Sequence, residues 1–221
     1  MRRVLVTGGN GGIGRAVCQG FQDQGDTVLA ADLPEHDVRD AGALAALMAD
    51  FRPNVLVALA GGSLGTPRDE YTQEDLDLVL DVNVKGTLNA VREAARHMTA
   101  GDAIVTCTSI GARQPSPVTG APYAAAKAAI GGLTRKFARD LGARGIRVNA
   151  VAPGLFLTGR LQGMFDDLAE AERREVLDAI PLGRMPELRE IVDPILFLAS
   201  DAASYITGIT LDVNGGRYLP L

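Results

Sequence analysis

The chain of 221 residues has no tryptophan, two cysteines, two histidines and only 5% aromatic residues. Each shortage removes a class of function. Cys18 and Cys107 are too few for a disulfide framework and lack metal-ligand spacing, and His36 and His97 stand alone, so no metal site is expected. No apolar run approaches the roughly 20 residues of a membrane span. Met1-Arg2-Arg3 leads straight into Val4-Leu5-Val6, too short for a signal segment, and the expectation is a cytoplasmic protein that begins at its first strand. Positive charge is also short. Lys and Arg number 22 against 27 Asp and Glu, a net charge of −5, so the electrostatic footprint of a nucleic-acid binder is missing.

What remains is an ordinary globular composition, 47% hydrophobic and 22% charged, with 26 glycines. The length suits one domain, residues 1–221. Residues 3–7 read as a strand that runs into Thr7-Gly8-Gly9-Asn10-Gly11-Gly12-Ile13-Gly14, followed by helical periodicity. Glycines let a backbone turn tightly against a phosphate, and the helix start behind them offers free N–H groups and the positive dipole end. A second strand, 27–31, ends at Asp32, placed to accept hydrogen bonds from an adenosine ribose and to repel a 2′-phosphate, which favours NAD over NADP. No Arg or Lys lies in the glycine turn or directly after Asp32.

Strands and helices then alternate. Helical character spans 41–51, strands are predicted at 54–59, 103–107, 145–151 and 208–213, and helices at 72–98, from Tyr123 to Leu141, and at 187–199. This pattern argues for an α/β fold, a Rossmann-type doubly wound parallel sheet of about seven strands with helices on both faces. Only four residues separate Asp32 from Asp37, too few for a crossover helix, so a third strand there is very short or is replaced by a bare loop. Asn83 and Gly86 interrupt the helix at 72–98 unfavourably, which implies a bend that frees a carbonyl for water. Residues 155–186 break the alternation with amphipathic helices and read as a substrate lid over a strand end.

The expected chemistry lies between Ser109 and Lys127. Pro122 suits the first turn of a helix, and Tyr123 and Lys127, four apart, share one of its faces. A fixed ammonium beside a phenol favours the phenolate, which can exchange a proton with an alcohol oxygen. Ser109 follows the apolar run Ala103 to Cys107, so its hydroxyl falls at a strand end, where open α/β sheets bind ligands.

With these residues together the chain resembles the short-chain dehydrogenase/reductase family nearly end to end. Thr7, Gly8, Gly12 and Gly14 match its cofactor turn, Asp37-Val38 its adenine-contacting pair, and Asn83, Ser109, Tyr123 and Lys127 its catalytic tetrad. Pro153-Gly154, Phe156 and Thr158 are similar to the segment that holds the nicotinamide carboxamide, and Asp212-Val213-Asn214-Gly215-Gly216 to the C-terminal strand and turn. The resemblance implies cofactor contacts from Gly8, Asn10, Gly12, Ile13, Gly14, Asp32, Asp37, Val38, Ala60, Gly61, Tyr123, Lys127, Pro153, Gly154, Phe156 and Thr158. It also implies interconversion of a secondary alcohol and a ketone, with Tyr123 as general acid/base, and a homo-oligomer, tetramer or dimer, for which Gly131-Gly132 would allow close helix approach. A non-catalytic redox sensor and a tyrosine-dependent dehydratase or epimerase are the alternatives. Where the family has Asn-Asn-Ala-Gly, this chain has Ala58-Leu59-Ala60-Gly61, so side-chain bonds that steady the sheet are missing. Arg113, Arg160 and Arg184 are open as partners of an acidic substrate.

Overall fold

The computed structural model describes residues 1–63, 70–114 and 119–219, without the side chains of Arg160 and Met164. Six strands, β1 (Arg3–Thr7), β2 (Thr27–Ala31), β3 (Val55–Ala58), β4 (Ala103–Cys107), β5 (Arg147–Pro153) and β6 (Thr210–Val213), form one parallel sheet in the order β2-β1-β3-β4-β5-β6. Alternation along β1 shows how the sheet divides the core. Leu5 joins Leu56, Ile104 and Val148 beneath α2 (Ala41–Phe51), α4 (Gly86–Ala95) and α5 (Ala121–Leu141). Val4 and Val6 join Val57, Val105 and Val151 beneath α1 (Gly12–Asp23) and α8 (Arg189–Ala199), where Phe21, Ile191 and Leu198 are fully buried. Covering both faces is why these strands read as continuous apolar runs. A side chain the size of Phe21 contributes about 1.5–3 kcal/mol on such burial.

Where about seven strands are expected, the described residues form six. Residues 33–40 form turns and loop with no strand, because the segment is too short to cross over and pair. Helical residues hold it instead. Asn89 Nδ2 donates to the Val38 carbonyl at 3.1 Å. A Cβ added to Gly86 would come within 2.5 Å of Val38 Cγ2, so the glycine that looks wrong for a helix is what lets this loop close onto α4. One consequence is that β2 forms the sheet edge and is only partly buried.

The long helix expected at 72–98 is three pieces. Thr72 starts α3 (Gln73–Leu80) with a reciprocal capping box to Asp75. A π-turn (Asp81–Lys85) follows, then α4. The turn contains Asn83 and packs on α5, the helix that carries Tyr123. Pro122 lies in the first turn of α5, as its fixed φ and missing N–H favour. After β5 come α6 (Arg160–Asp166) and α7 (Glu170–Asp178), and α7 buries none of its residues.

Candidate active site

The strand order reverses direction around β1, and the crevice beyond the C-terminal ends of β1 and β3 is where such sheets bind ligands. A cavity of about 660 Å³ opens there. Its floor is the glycine turn. A Cβ on Gly14 would sit 2.1 Å from the Gly8 carbonyl oxygen, so only glycine permits this close return of helix onto loop. Gly11 caps α1 without a side-chain bond, which leaves the first-turn N–H groups for an anion. The loop after β5 crosses above, and the Thr158 side chain would touch any Cβ placed on Gly12. Gly8, Gly12, Ile13 and Gly14 form one wall with Thr158 opposite.

At one end stand Asp32, Asp37 and Val38. Asp32 Oδ2 accepts from the Asn10 backbone N–H at 2.9 Å, and Oδ1 from Leu33 N–H at 2.8 Å. Asn10 thus orients Asp32 through its backbone, and its side chain is not among the groups that line the cavity. His36 and Arg39 also reach this end. Arg39 is neutralised where it stands, 2.6 Å from Asp37, and its hydrogen bonds hold the Asp37 carboxyl below the usual range.

At the other end Ser109, Tyr123 and Lys127 come together with Pro153, Gly154 and Phe156, and with Ala60 and Gly61 from the turn after β3. Ser109 Oγ accepts from Gly111 N–H at 3.1 Å, which leaves its own proton to donate. One point beside Gly111 lies 3.4 Å from Ser109 Oγ and 3.7 Å from Tyr123 Cε1, so hydroxyl and phenol ring border the same space. Lys127 is buried to 4% exposure, donates to the Cys107 carbonyl at 3.0 Å and stands 5.7 Å from the Tyr123 ring centroid. Burial pushes the Cys107 thiol up, against the pull of the Lys127 charge, which leaves it neutral. Asn83 is fully buried and off the wall. Its Oδ1 accepts from Gly62 N–H at 3.0 Å, while Nδ2 donates to the carbonyls of Gly62 and Val79, each at 2.9 Å.

A family model described as enoyl-(acyl carrier protein) reductase matches residues 34–217. The chain is 33% identical over a 240-residue alignment to the 3-oxoacyl-[acyl-carrier-protein] reductase FabG of Thermotoga maritima, covering 96% of each. The chain belongs to the short-chain dehydrogenase/reductase family. Among solved structures, a short-chain dehydrogenase/reductase from Mycobacterium ulcerans superposes with a TM-score of 0.89 at 29% identity, over 98% of this chain and 89% of that one. A 3-oxoacyl-[acyl-carrier protein] reductase with bound NAD from Brucella melitensis gives 0.86 at 32% identity, over 99% and 92%.

Within this dehydrogenase/reductase the missing asparagines after β3 are met by substitutes. Thr7 Oγ1 accepts from Ala60 N–H at 3.3 Å, and Asn83 clamps Gly62 from the π-turn. Deeper in the sheet, the buried hydroxyls of Thr106 and Thr134 lie 2.7 Å apart and tie β4 to α5. Of the arginines left open for an acid, two are engaged elsewhere. Arg113 pairs with Asp212 and stacks 4.7 Å over the Tyr218 ring, and Arg184 pairs with Glu190 at 2.6 Å. The Arg160 side chain lies outside the described residues. Sequence reasoning missed Arg217, which borders a side chamber with Ser109 and Tyr123. Its only signal was its position directly after the Gly215-Gly216 turn. Among the described residues no group of three potential metal ligands occurs, and no helix is long and apolar enough to cross a membrane.

Proposed function

We propose that this protein is an NAD-dependent dehydrogenase/reductase that interconverts a secondary alcohol and its ketone. The observation that carries the reading is the convergence of Ser109, Tyr123 and Lys127 on the cavity whose other wall is the glycine turn. A dinucleotide fits this cavity. The close return of Gly14 onto Gly8 leaves a bare backbone cradle for its pyrophosphate, and Asp32, with neutralised Arg39 nearby, suits an unphosphorylated ribose. Asp37 and Val38 would border the adenine, and Ala60, Gly61, Pro153, Gly154, Phe156 and Thr158 the nicotinamide half.

A nicotinamide bound there would supply the hydride acceptor for the carbinol carbon, or the donor for the ketone. Tyr123 takes up or gives back the proton of the reacting oxygen. Ser109, with one lone pair already engaged by Gly111, donates to that oxygen and stabilises its developing charge. Lys127 brings a fixed positive charge to the phenol. Asn83 holds Gly62 with its side chain, and a backbone carbonyl of the π-turn around it would anchor a water toward Lys127. Residues 155–186 would close over this end as a lid, with Phe156, Thr158 and Leu161 as the parts that reach the cavity. Residues 1–221 act as one dinucleotide-binding and catalytic domain. Two unpaired cysteines suit the reducing cytoplasm, and Gly132, with open space beside it on α5, suits a homo-oligomer.

The test is a panel of secondary alcohols and ketones followed by NADH absorbance with NAD(H) and NADP(H) side by side. Turnover is expected with NAD(H), and a higher kcat/KM with NADP(H) would overturn the cofactor assignment.

A further inference from the structure

A second chamber of about 110 Å³ adjoins the cavity at Ser109 and Tyr123, and its lining is more specific than a general alcohol requires. Three polar groups face it. Arg217 supplies a guanidinium that makes no ion pair or side-chain hydrogen bond among the described residues. Gln114 Oε1 and Thr119 Oγ1 are buried and have no hydrogen-bond partner among the described residues. Thr119 Oγ1 lies 3.7 Å from the point beside Gly111 that is 3.4 Å from Ser109 Oγ, so both hydroxyls border the same space. Among the described residues Ile110, Leu155 and Leu161 add apolar wall to this small chamber.

Native proteins rarely leave buried polar atoms unpaired, so these atoms call for a ligand that pairs them. Gln114 Oε1 can only accept, which requires a hydroxyl or N–H on the ligand. An ammonium is disfavoured beside Arg217, and a hydroxyl is not. Arg217 in turn fits a carboxylate, which its planar fork can grip with two bonds. Resting on the hydride-transfer reading above, we infer that the substrate is a short hydroxy acid, or its oxo form, that carries a further hydroxyl. Its carboxylate pairs with Arg217, its second hydroxyl with Gln114 and Thr119, and its reacting hydroxyl with Ser109 and Tyr123. The same chamber disfavours esters and carrier-bound thioesters, which have no carboxylate to offer.

The test compares 3-hydroxybutyrate, 3,4-dihydroxybutyrate, the methyl ester of the first and its N-acetylcysteamine thioester. Turnover is read by NADH formation, and binding by calorimetry on protein preloaded with NADH. The acids are expected to exceed ester and thioester by about tenfold or more in kcat/KM, with the dihydroxy acid ahead of the monohydroxy one. Arg217→Leu should raise KM for the acids about 10- to 100-fold and bring the acid-to-ester ratio toward one, and Arg217→Lys should recover part of it. Ester or thioester turned over as well as the acids, or a preference that survives Arg217→Leu, would overturn the inference while leaving hydride transfer standing. Acid binding that depends on Arg217 without NADH formation would support the chamber and overturn hydride transfer. No gain from the second hydroxyl would remove Gln114 and Thr119 from the assignment.

Discussion

The two ends of the cleft are made of different material. The glycine-turn end rests on buried strands and on α1 and α8, whose packed residues include fully buried Phe21, Ile191 and Leu198. The end beyond Ser109 is bordered by residues of the short 3₁₀ turn Ile110–Ala112 and by Leu161 of α6, and α7, next along the chain, buries none of its residues. A cofactor common to many reactions needs only backbone N–H groups and one carboxylate, which a rigid sheet edge can present. A particular substrate needs particular side chains, and those are carried on loops, where a change leaves the core intact. Tyr123 and Lys127 sit between the two on α5, anchored from below by the Thr106–Thr134 contact and by the Cys107 carbonyl.

The strongest way to break this division is at the boundary. Tyr123→Phe keeps the ring and removes only the proton carrier, so kcat should fall about 10²- to 10⁴-fold while the NADH dissociation constant moves within a few-fold. Steady-state rates and fluorescence titration read the two, and undiminished turnover would refute the assignment. On the cofactor end, Gly14→Ala forces a methyl against the Gly8 carbonyl. The strain should cost about 1–3 kcal/mol, seen as weaker NADH binding and a lower melting temperature. An unaltered titration would show that the turn is not the pyrophosphate cradle.

Asp32→Ala should act on selectivity more than on rate. It removes the acceptor held by Asn10 and the charge that opposes a 2′-phosphate. The NADP(H)-to-NAD(H) ratio of kcat/KM is expected to rise about tenfold or more. A ratio that does not move would place discrimination elsewhere, with Arg39 the next residue to examine. The smallest effect belongs to the other end. Arg174→Ala on the exposed face of α7 should change stability by no more than about 0.5 kcal/mol. Amides of α7 should exchange with solvent well before those of α5, because few buried contacts hold them. Equal protection of the two helices would mean that α7 is packed as firmly as the scaffold.

Much of the cofactor end was legible in the chain because its signals are local. Strand, glycine turn and helix follow one another over residues 3–23, the acid that ends β2 is read from its own strand, and the Tyr123–Lys127 pair needs only the pitch of a helix. Residues 33–40 were less legible. A segment too short to cross over could be noticed, but the helical contacts from Gly86 and Asn89 that hold it are about 50 residues away. Asn83 was likewise recognised as out of place in a helix, yet its bonds to Gly62 depend on how the π-turn meets the end of β3.

Periodicity, glycine placement and the order of strands and helices therefore determined the α/β class, the phosphate turn and the tyrosine–lysine face, since each follows from backbone geometry within a few residues. Tertiary structure alone decided that the sheet stops at six strands, that Arg39 is neutralised by Asp37, and that Arg217 meets Ser109 across a chamber. The physical reason is that contact between distant segments depends on how the two packed faces of the sheet fold loops over its C-terminal edge. No local propensity along the chain encodes that packing.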